Sequence, residues 1–298
     1  MKLPPPDALV PARPLPSGHG PDLAGSWTVE ARFKPDGQPD SAELDGVLDM
    51  GWRARHHHPS LWTPGPLGWR PLQPQVGAAT PRLLLRWALC QPDVDPPTER
   101  DLEGRLGAVE QTLQQLAPCE LVPSLPLAVA AERAKALSKL RRTWGTPVYL
   151  RLVGGPRGID GAGAWFHLRD LGLTAGEDGW LRYGLPDAPD HPPAFTVGTS
   201  GPPGRLDPTL LTQGETRLTD LVLRFVPALC PRPARLLDVL LELANQLATS
   251  LGARVLTTNL KEVSPATLHA QVALVQTGLQ RHGFQAGNSA TVSIFGKI

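Results

Sequence analysis

A strand, helix, strand, helix pattern runs from Thr219 to Leu279, and it dictates how the rest of the chain can fold. In Leu221-Val222-Leu223-Arg224-Phe225-Val226 the residues Leu221, Leu223 and Phe225 point one way while Val222 and Arg224 point the other, as a half-buried strand requires. An unpaired arginine is costly to bury, so Arg224 marks the open face. After Pro231 and Pro233, Leu236, Leu240, Leu243, Leu247 and Leu251 recur on one helical stripe, which Gly252 terminates. That stripe predicts a helix covering the buried face of the strand. A second strand, Arg254-Val255-Leu256-Thr257, follows. Ser264 as N-cap and Pro265 at the first helical position then open a helix with Leu268, Val272, Val275 and Leu279 on its stripe.

The pattern has an earlier counterpart. Leu83-Leu84-Leu85-Arg86-Trp87 matches Leu221-Val222-Leu223-Arg224-Phe225. Thr98 caps a helix whose stripe, Leu102, Leu106, Val109 and Leu113, has the spacing of Leu236, Leu240, Leu243 and Leu247, and Glu120-Leu121-Val122 stands where Arg254-Val255-Leu256 stands. Pro126 opens a further helix to about Arg142. Upstream, Trp27 to Phe33 pairs with Val148 to Val153, Leu48 to Trp52 with Arg169 to Leu173, and Gly68-Trp69 with Gly179-Trp180. We read this as an internal duplication, the alternative being chance likeness of two ordinary α+β patterns.

The expected fold class is therefore α+β: two tandem split β-α-β domains, each a mostly antiparallel sheet with helices on one face and the other face open. The 298 residues suffice for two cores. The expected boundaries are a Pro-rich disordered tail over 1–23, a first domain over 24–144 and a second over 145–298. Within the first, one short helix is expected from about Asp40 to Trp52, then loops from Arg53 to Thr80 with one weak strand near Gly68 to Leu72. Within the second, strands are expected over Pro147 to Val153, Gly179 to Leu185 and Ala194 to Thr199, with a helix from about Ala162 to Leu171. Ala290 to Phe295 is expected to add an edge strand.

A net charge of +1 gives no electrostatic case for bulk nucleic-acid binding or for an anionic membrane surface. Cys90, Cys119 and Cys230 lack CxxC spacing and read as buried small hydrophobes in a reducing cytoplasm. No apolar run has the length to span a bilayer, and Pro4-Pro5-Pro6 replaces the apolar core of a signal peptide, so the chain as written is expected to be soluble and cytoplasmic.

His56-His57-His58 looks like a ligand cluster, but three consecutive histidines cannot all reach one ion from an extended backbone, so it reads as a polar loop and no metal site is expected. Gly154-Gly155-Pro156-Arg157-Gly158 lacks both G-x-G-x-x-G spacing and a Walker lysine, and reads as a turn. No nucleophile with a base partner and no paired carboxylates are visible, so neither enzymatic activity nor a cofactor is expected. The open face of the second sheet should carry Tyr149, Arg151, Trp180, Arg182, Gly198, Ser200, Val222 and Arg224. Such a mixture of rings, guanidinium groups and small residues is typical of a recognition surface. A solvated face, or one packed against the other copy, is the alternative.

Three stretches of the second copy carry a family likeness. They are Ala194-Phe195-Thr196-Val197 running into Pro202-Pro203-Gly204-Arg205-Leu206-Asp207-Pro208, the strand end Val226-Pro227, and Ala244-Asn245-Gln246-Leu247 through Leu251-Gly252-Ala253-Arg254-Val255-Leu256. From about Thr146 to Phe295 the chain resembles the C-terminal domain of the ZipA cell-division family, and the first copy resembles it only through its likeness to the second. The resemblance implies a sheet whose exposed face forms a shallow groove for the FtsZ C-terminal tail. Carried over by position, Tyr149, Trp180, Gly198, Ser200 and Val222 line that groove, with Arg151, Arg182 and Arg224 interspersed. It implies a non-enzymatic division adaptor at the septum, attached to the inner membrane only if an anchor is supplied upstream. The alternative is a single-stranded nucleic-acid module stacking bases on the same face.

Overall fold

The computed structural model describes residues 3–10, 25–66, 68–91, 93–176, 178–185, 191–201, 206, 209, 211 and 216–296. They form two compact units that divide between Arg142 and Thr143, with the N-terminal residues 3–10 belonging to the second.

In the first domain the strands are β1 (Ser26–Phe33), β2 (Ser60–Gly65), β3 (Gly68–Pro71), β4 (Arg82–Ala88) and β5 (Cys119–Pro123). They form one antiparallel sheet in the order β3-β2-β4-β1-β5. Trp27, Val29 and Ala31 of β1 and Leu83, Leu85 and Trp87 of β4 are buried, and the Trp27 and Trp87 rings sit 5.4 Å apart across the pair. The helix expected from Asp40 to Trp52 is two helices, α1 (Ser41–Val47) and α2 (Met50–Arg55). Asp40 and Asp49 each cap a new N-terminus through a side-chain carboxylate, and Leu48 leaves the helical region between them. Strand β2 was hidden in the sequence by Pro64, which lies beside the edge strand β3. Helices α3 (Glu99–Gln114) and α4 (Leu127–Trp144) follow β4 and β5. Thr98 and Asp101 form a reciprocal capping box at the start of α3.

The second domain contains β6 (Val148–Gly154), β7 (Ile159–Asp160), α5 (Gly161–Asp170), β8 (Thr174–Ala175), β9 (Leu181–Tyr183), β10 (Phe195–Gly198), β11 (Arg217–Leu218) and β12 (Asp220–Phe225). After these come α6 (Pro233–Leu251), β13 (Ala253–Leu256), α7 (Pro265–Arg281) and α8 (Ser289–Phe295). The main sheet has the order β13-β6-β12-β10-β9-β8, and β7 pairs separately with β11. Leu150, Leu152, Leu221, Leu223 and Phe225 of the sheet share one core with Leu236, Leu240, Leu243 and Leu247 of α6 and with Leu268 and Val272 of α7. Burying each such side chain stabilises the fold by roughly 1.5–3 kcal/mol. Gly252 ends α6 in the left-handed region at φ 63°, which a residue without Cβ adopts at little cost.

Two expectations are corrected here. Residues 290–295 form helix α8 rather than an edge strand, because the Asn288 side chain accepts from Thr291 N and the helix buries Ile294 and Phe295. The N-terminal tail is folded over residues 3–10. Leu3, Leu9 and Val10 enter the core of the second domain, Tyr183 Oη donates to Pro4 O at 2.6 Å, and Cys230 Sγ donates to Leu9 O at 3.3 Å. Docking on partners far along the chain leaves no local periodicity to read. The remainder of the expected tail, from residue 11 onward, lies outside the described residues, as do Pro202–Arg205, Asp207 and Pro208 of the resemblance.

The two sheets share a core arrangement. In the first, β1 and β2 run parallel with β4 between them; in the second, β6 and β10 run parallel with β12 between them. Each is a split β-α-β unit. Arg86 lies opposite Thr28 as Arg224 lies opposite Tyr149, and Glu120 lies opposite Arg32 as Arg254 lies opposite Val153. The outer strands differ in chain order, since β3 follows the inner strand β2 whereas β9 precedes β10.

Candidate recognition face of the second domain

Strand alternation sorts the side chains of the second sheet. Those of β6 and β12 at Val148, Leu150, Leu152, Leu221, Leu223 and Phe225 enter the core, so Tyr149, Arg151, Val222 and Arg224 occupy the other face. By register, Arg151 lies opposite Val222 and Val222 opposite Gly198; Tyr149 lies opposite Arg224, Arg224 opposite Thr196, and Thr196 opposite Arg182. Trp180 just precedes β9, and Ser200 lies just beyond β10. All eight expected residues therefore meet on one surface.

Trp180 takes its position from the turn before it. Its backbone N–H donates to Asp178 Oδ1 at 3.2 Å, Gly176 N donates to Trp180 O at 2.8 Å, and Gly179 turns the chain at φ 77°. The indole lies flat on Gly198, where an added Cβ would penetrate the ring. The Arg224 guanidinium lies 4.9 Å from the ring centroid, in cation–π range. Gly198 and Val222 are accordingly buried although they belong to the open face.

The three arginines differ in their partners. Arg151 Nε bonds to the carboxylate of Asp220, its Nη2 donates to Ser200 Oγ at 2.8 Å, and Ser200 both donates its hydroxyl to Asp220 and bonds it through the backbone N–H at 3.0 Å. Asp220 is only 1% exposed, so the pair and its hydrogen bonds satisfy a charge that would otherwise be costly to bury. Arg182 Nη2 pairs with Asp178 at 3.2 Å. Arg224 has no carboxylate partner among the described residues. Asp220, Asp178 and Thr196 escaped the sequence reading. Asp178 lies within local reach of Trp180 and Arg182, and the place of Asp220 on the open face was legible two residues before Val222, while the roles of Asp220 and Thr196 depend on cross-strand neighbours.

The remaining sequence candidates have structural roles. His57 and His58 follow α2 at φ 61° and 49°, and the His56 ring packs on Trp52 at 4.4 Å between centroids. Burial, with Arg55 nearby, holds the His56 imidazole below its ordinary pKa, and burial with Arg105 nearby does the same for His57. Gly154 to Gly158 is a tight turn closed by Gly158 N to Gly155 O at 2.8 Å. All three cysteines are free, and burial pushes the Cys230 thiol up to about 11. Among the described residues no group of three His, Cys, Asp or Glu is placed to hold a metal ion, and no helix is long and apolar enough to cross a membrane.

Residues 149–273 match the sequence model of the family described as ZipA, C-terminal FtsZ-binding domain. The matched segment lies within the second domain and runs from β6 into α7, so it contains every residue of the face described above. No curated protein is significantly similar to the chain.

Proposed function

We propose that the chain is a non-enzymatic adaptor of cell division whose second domain holds the FtsZ C-terminal tail as a short peptide on its open sheet face. The observation that carries the reading is the face of the family-matched sheet opposite the core shared with α6 and α7, where Trp180, Val222 and Tyr149 stand beside Arg182 and Arg224. Apolar peptide side chains gain most by burying against such aromatic anchors, and rim arginines select acidic flanks. The reading is tested by calorimetric titration of the full chain with the FtsZ tail peptide. Saturable binding that Trp180→Ala weakens at least tenfold is expected. Unchanged affinity in that variant would move the site elsewhere.

We also infer that the two domains arose by duplication of one ancestral domain. The shared split β-α-β core and the matched register at Arg86 and Arg224 support this.

A further inference from the structure

The first sheet also has an open face. Its buried side holds Trp27, Val29, Leu83 and Leu85, so strand alternation places Glu30 and Arg32 of β1, Arg82 and Leu84 of β4, and Trp62 of β2 on the other side. Leu84 lies between Glu30 and Trp62 in register, and Trp69 of β3 lies opposite Pro64. Leu84 is 7% exposed, as is Val222 at the equivalent position of the second sheet. The rest of the face is open to solvent: Trp62 and Trp69 are only half-buried, and the Arg32 and Arg82 side chains are 47% and 48% exposed. In each sheet an arginine of the central strand reaches across the inner strand to a tryptophan beyond it. Arg82 lies 5.2 Å from the Trp69 ring centroid across β2, as Arg224 lies 4.9 Å from that of Trp180 across β10. The two stacks are built from different positions. Arg82 stands where Asp220 stands in the second sheet, and β3 follows its inner neighbour in the chain whereas β9 precedes its own. The charges also agree. Arg32, Arg82 and Arg86 stand against Glu30 and Glu120, and Arg151, Arg182 and Arg224 against Asp178 and Asp220, so three arginines over two carboxylates leave one positive charge in excess on each face. Glu30 is shared between Arg32, at 3.2 Å, and Arg82, while Glu120 only approaches Arg32 to 4.0 Å from a side chain 71% exposed, where water screens the pair.

We propose that this face of the first domain, formed by Trp62, Trp69, Leu84, Arg32 and Arg82, is a second docking surface for an acidic peptide with an apolar anchor. The two half-buried rings offer an apolar side chain its contact area, and the excess positive charge selects acidic neighbours. A common ancestor does not supply the tryptophan–arginine stack at two different positions, whereas a common kind of ligand does. The inference borrows its ligand from the peptide-binding reading above and adds a second site, so that one chain holds two tails at once.

The test follows the indole N–H signals of the isotope-labelled full chain during titration with the FtsZ tail peptide, so that Trp62 and Trp69 report the first face and Trp180 the second. Both sets should shift and saturate. Trp69→Ala should weaken the Trp62 curve about tenfold and leave the Trp180 curve unchanged, with the buried Trp27 and Trp87 signals in place to show that the first domain is still folded. Arg32→Glu, which keeps both rings, should likewise weaken the first face alone, and a tail peptide with every Asp and Glu changed to its amide should reach that face about tenfold more weakly. Shifts at Trp180 alone would overturn the second docking surface and leave the reading of the second domain standing. Shifts at Trp62 and Trp69 alone would keep this surface and remove the other, and no shifts at either would remove both. A Trp62 curve that survives Trp69→Ala and Arg32→Glu unchanged would overturn the assignment. So would shifts of Trp62 and Trp69 that grow with chain concentration in the absence of peptide, because they would give the face to a second copy of the chain.

Discussion

Arg151 and Asp220 form a diagonal cross-strand ion pair at the positions that Glu30 and Arg82 occupy in the first domain, with the charges exchanged between the strands. In each sheet one partner lies on the first strand and the other lies on the central strand, two residues before the one facing it. The second pair is the more deeply buried, with the Asp220 side chain 1% exposed against 14% for Glu30. Removing Arg151 strands a buried carboxylate. Arg151→Ala should therefore destabilise the second domain by about 3 kcal/mol in urea unfolding. The double variant Arg151→Glu with Asp220→Arg, which copies the arrangement of the first domain, should recover part of that loss. No recovery would argue against the equivalence of the two sheets.

The leucine stripe of α6 gives a second test. Leu240 and Leu243 are each 1% exposed inside the core of the second domain. Truncating either to Ala should cost about 2–5 kcal/mol through lost transfer energy and the cavity left behind. Chemical denaturation of both variants checks this, and near-neutral values would contradict the packing.

Gly198 is the floor on which Trp180 lies. In Gly198→Ala the new Cβ must displace the ring, so strain of about 1–3 kcal/mol is expected together with loss of the Arg224 stack. Near-ultraviolet circular dichroism should report the displaced indole, and an unchanged spectrum would mean that the ring is not held there.

Acid should weaken the first domain in two steps. Burial holds His56 and His57 below the ordinary histidine value of about 6.5, so the folded state binds fewer protons than the unfolded chain. Their contribution is intact above about pH 6.5 and is lost as pH falls below it. Glu30 acts lower down. Burial alone would raise its pKa, but hydrogen bonds and charge from Arg82 and Arg32 outweigh that and hold it below the usual carboxylate range. Its contribution is present above about pH 4.5 and is lost as pH falls through its folded value. In urea titrations from pH 8 to 4, His57→Gln should flatten the upper step and leave the lower one.

The parts of the molecule that could be read from sequence are those governed by local rules. The α6 stripe, the Gly252 stop, the Ser264 cap and the alternation of β12 are each set by nearby residues, and the structure reproduces them. The open face was legible for the same reason, since period-two alternation assigns Val222 and Arg224 to it directly. Features settled by distant contacts were not legible. Leu3, Leu9 and Val10 find their core more than a hundred residues away. Asp220 gains its meaning from Arg151 and Ser200, and the unpartnered hydroxyl of Thr196 emerges only when β9 and β12 flank β10.

The peptide-binding account is tested most directly by mapping the contact. Isotope-labelled full-length chain is titrated with the FtsZ tail peptide while backbone amide shifts are followed. The account predicts saturable shifts concentrated at Tyr149, Trp180, Arg182, Thr196, Gly198, Val222 and Arg224, with the helix faces of α6 and α7 unperturbed. Shifts concentrated on those helices, or on the first domain alone, would contradict it, and so would no shifts at millimolar peptide.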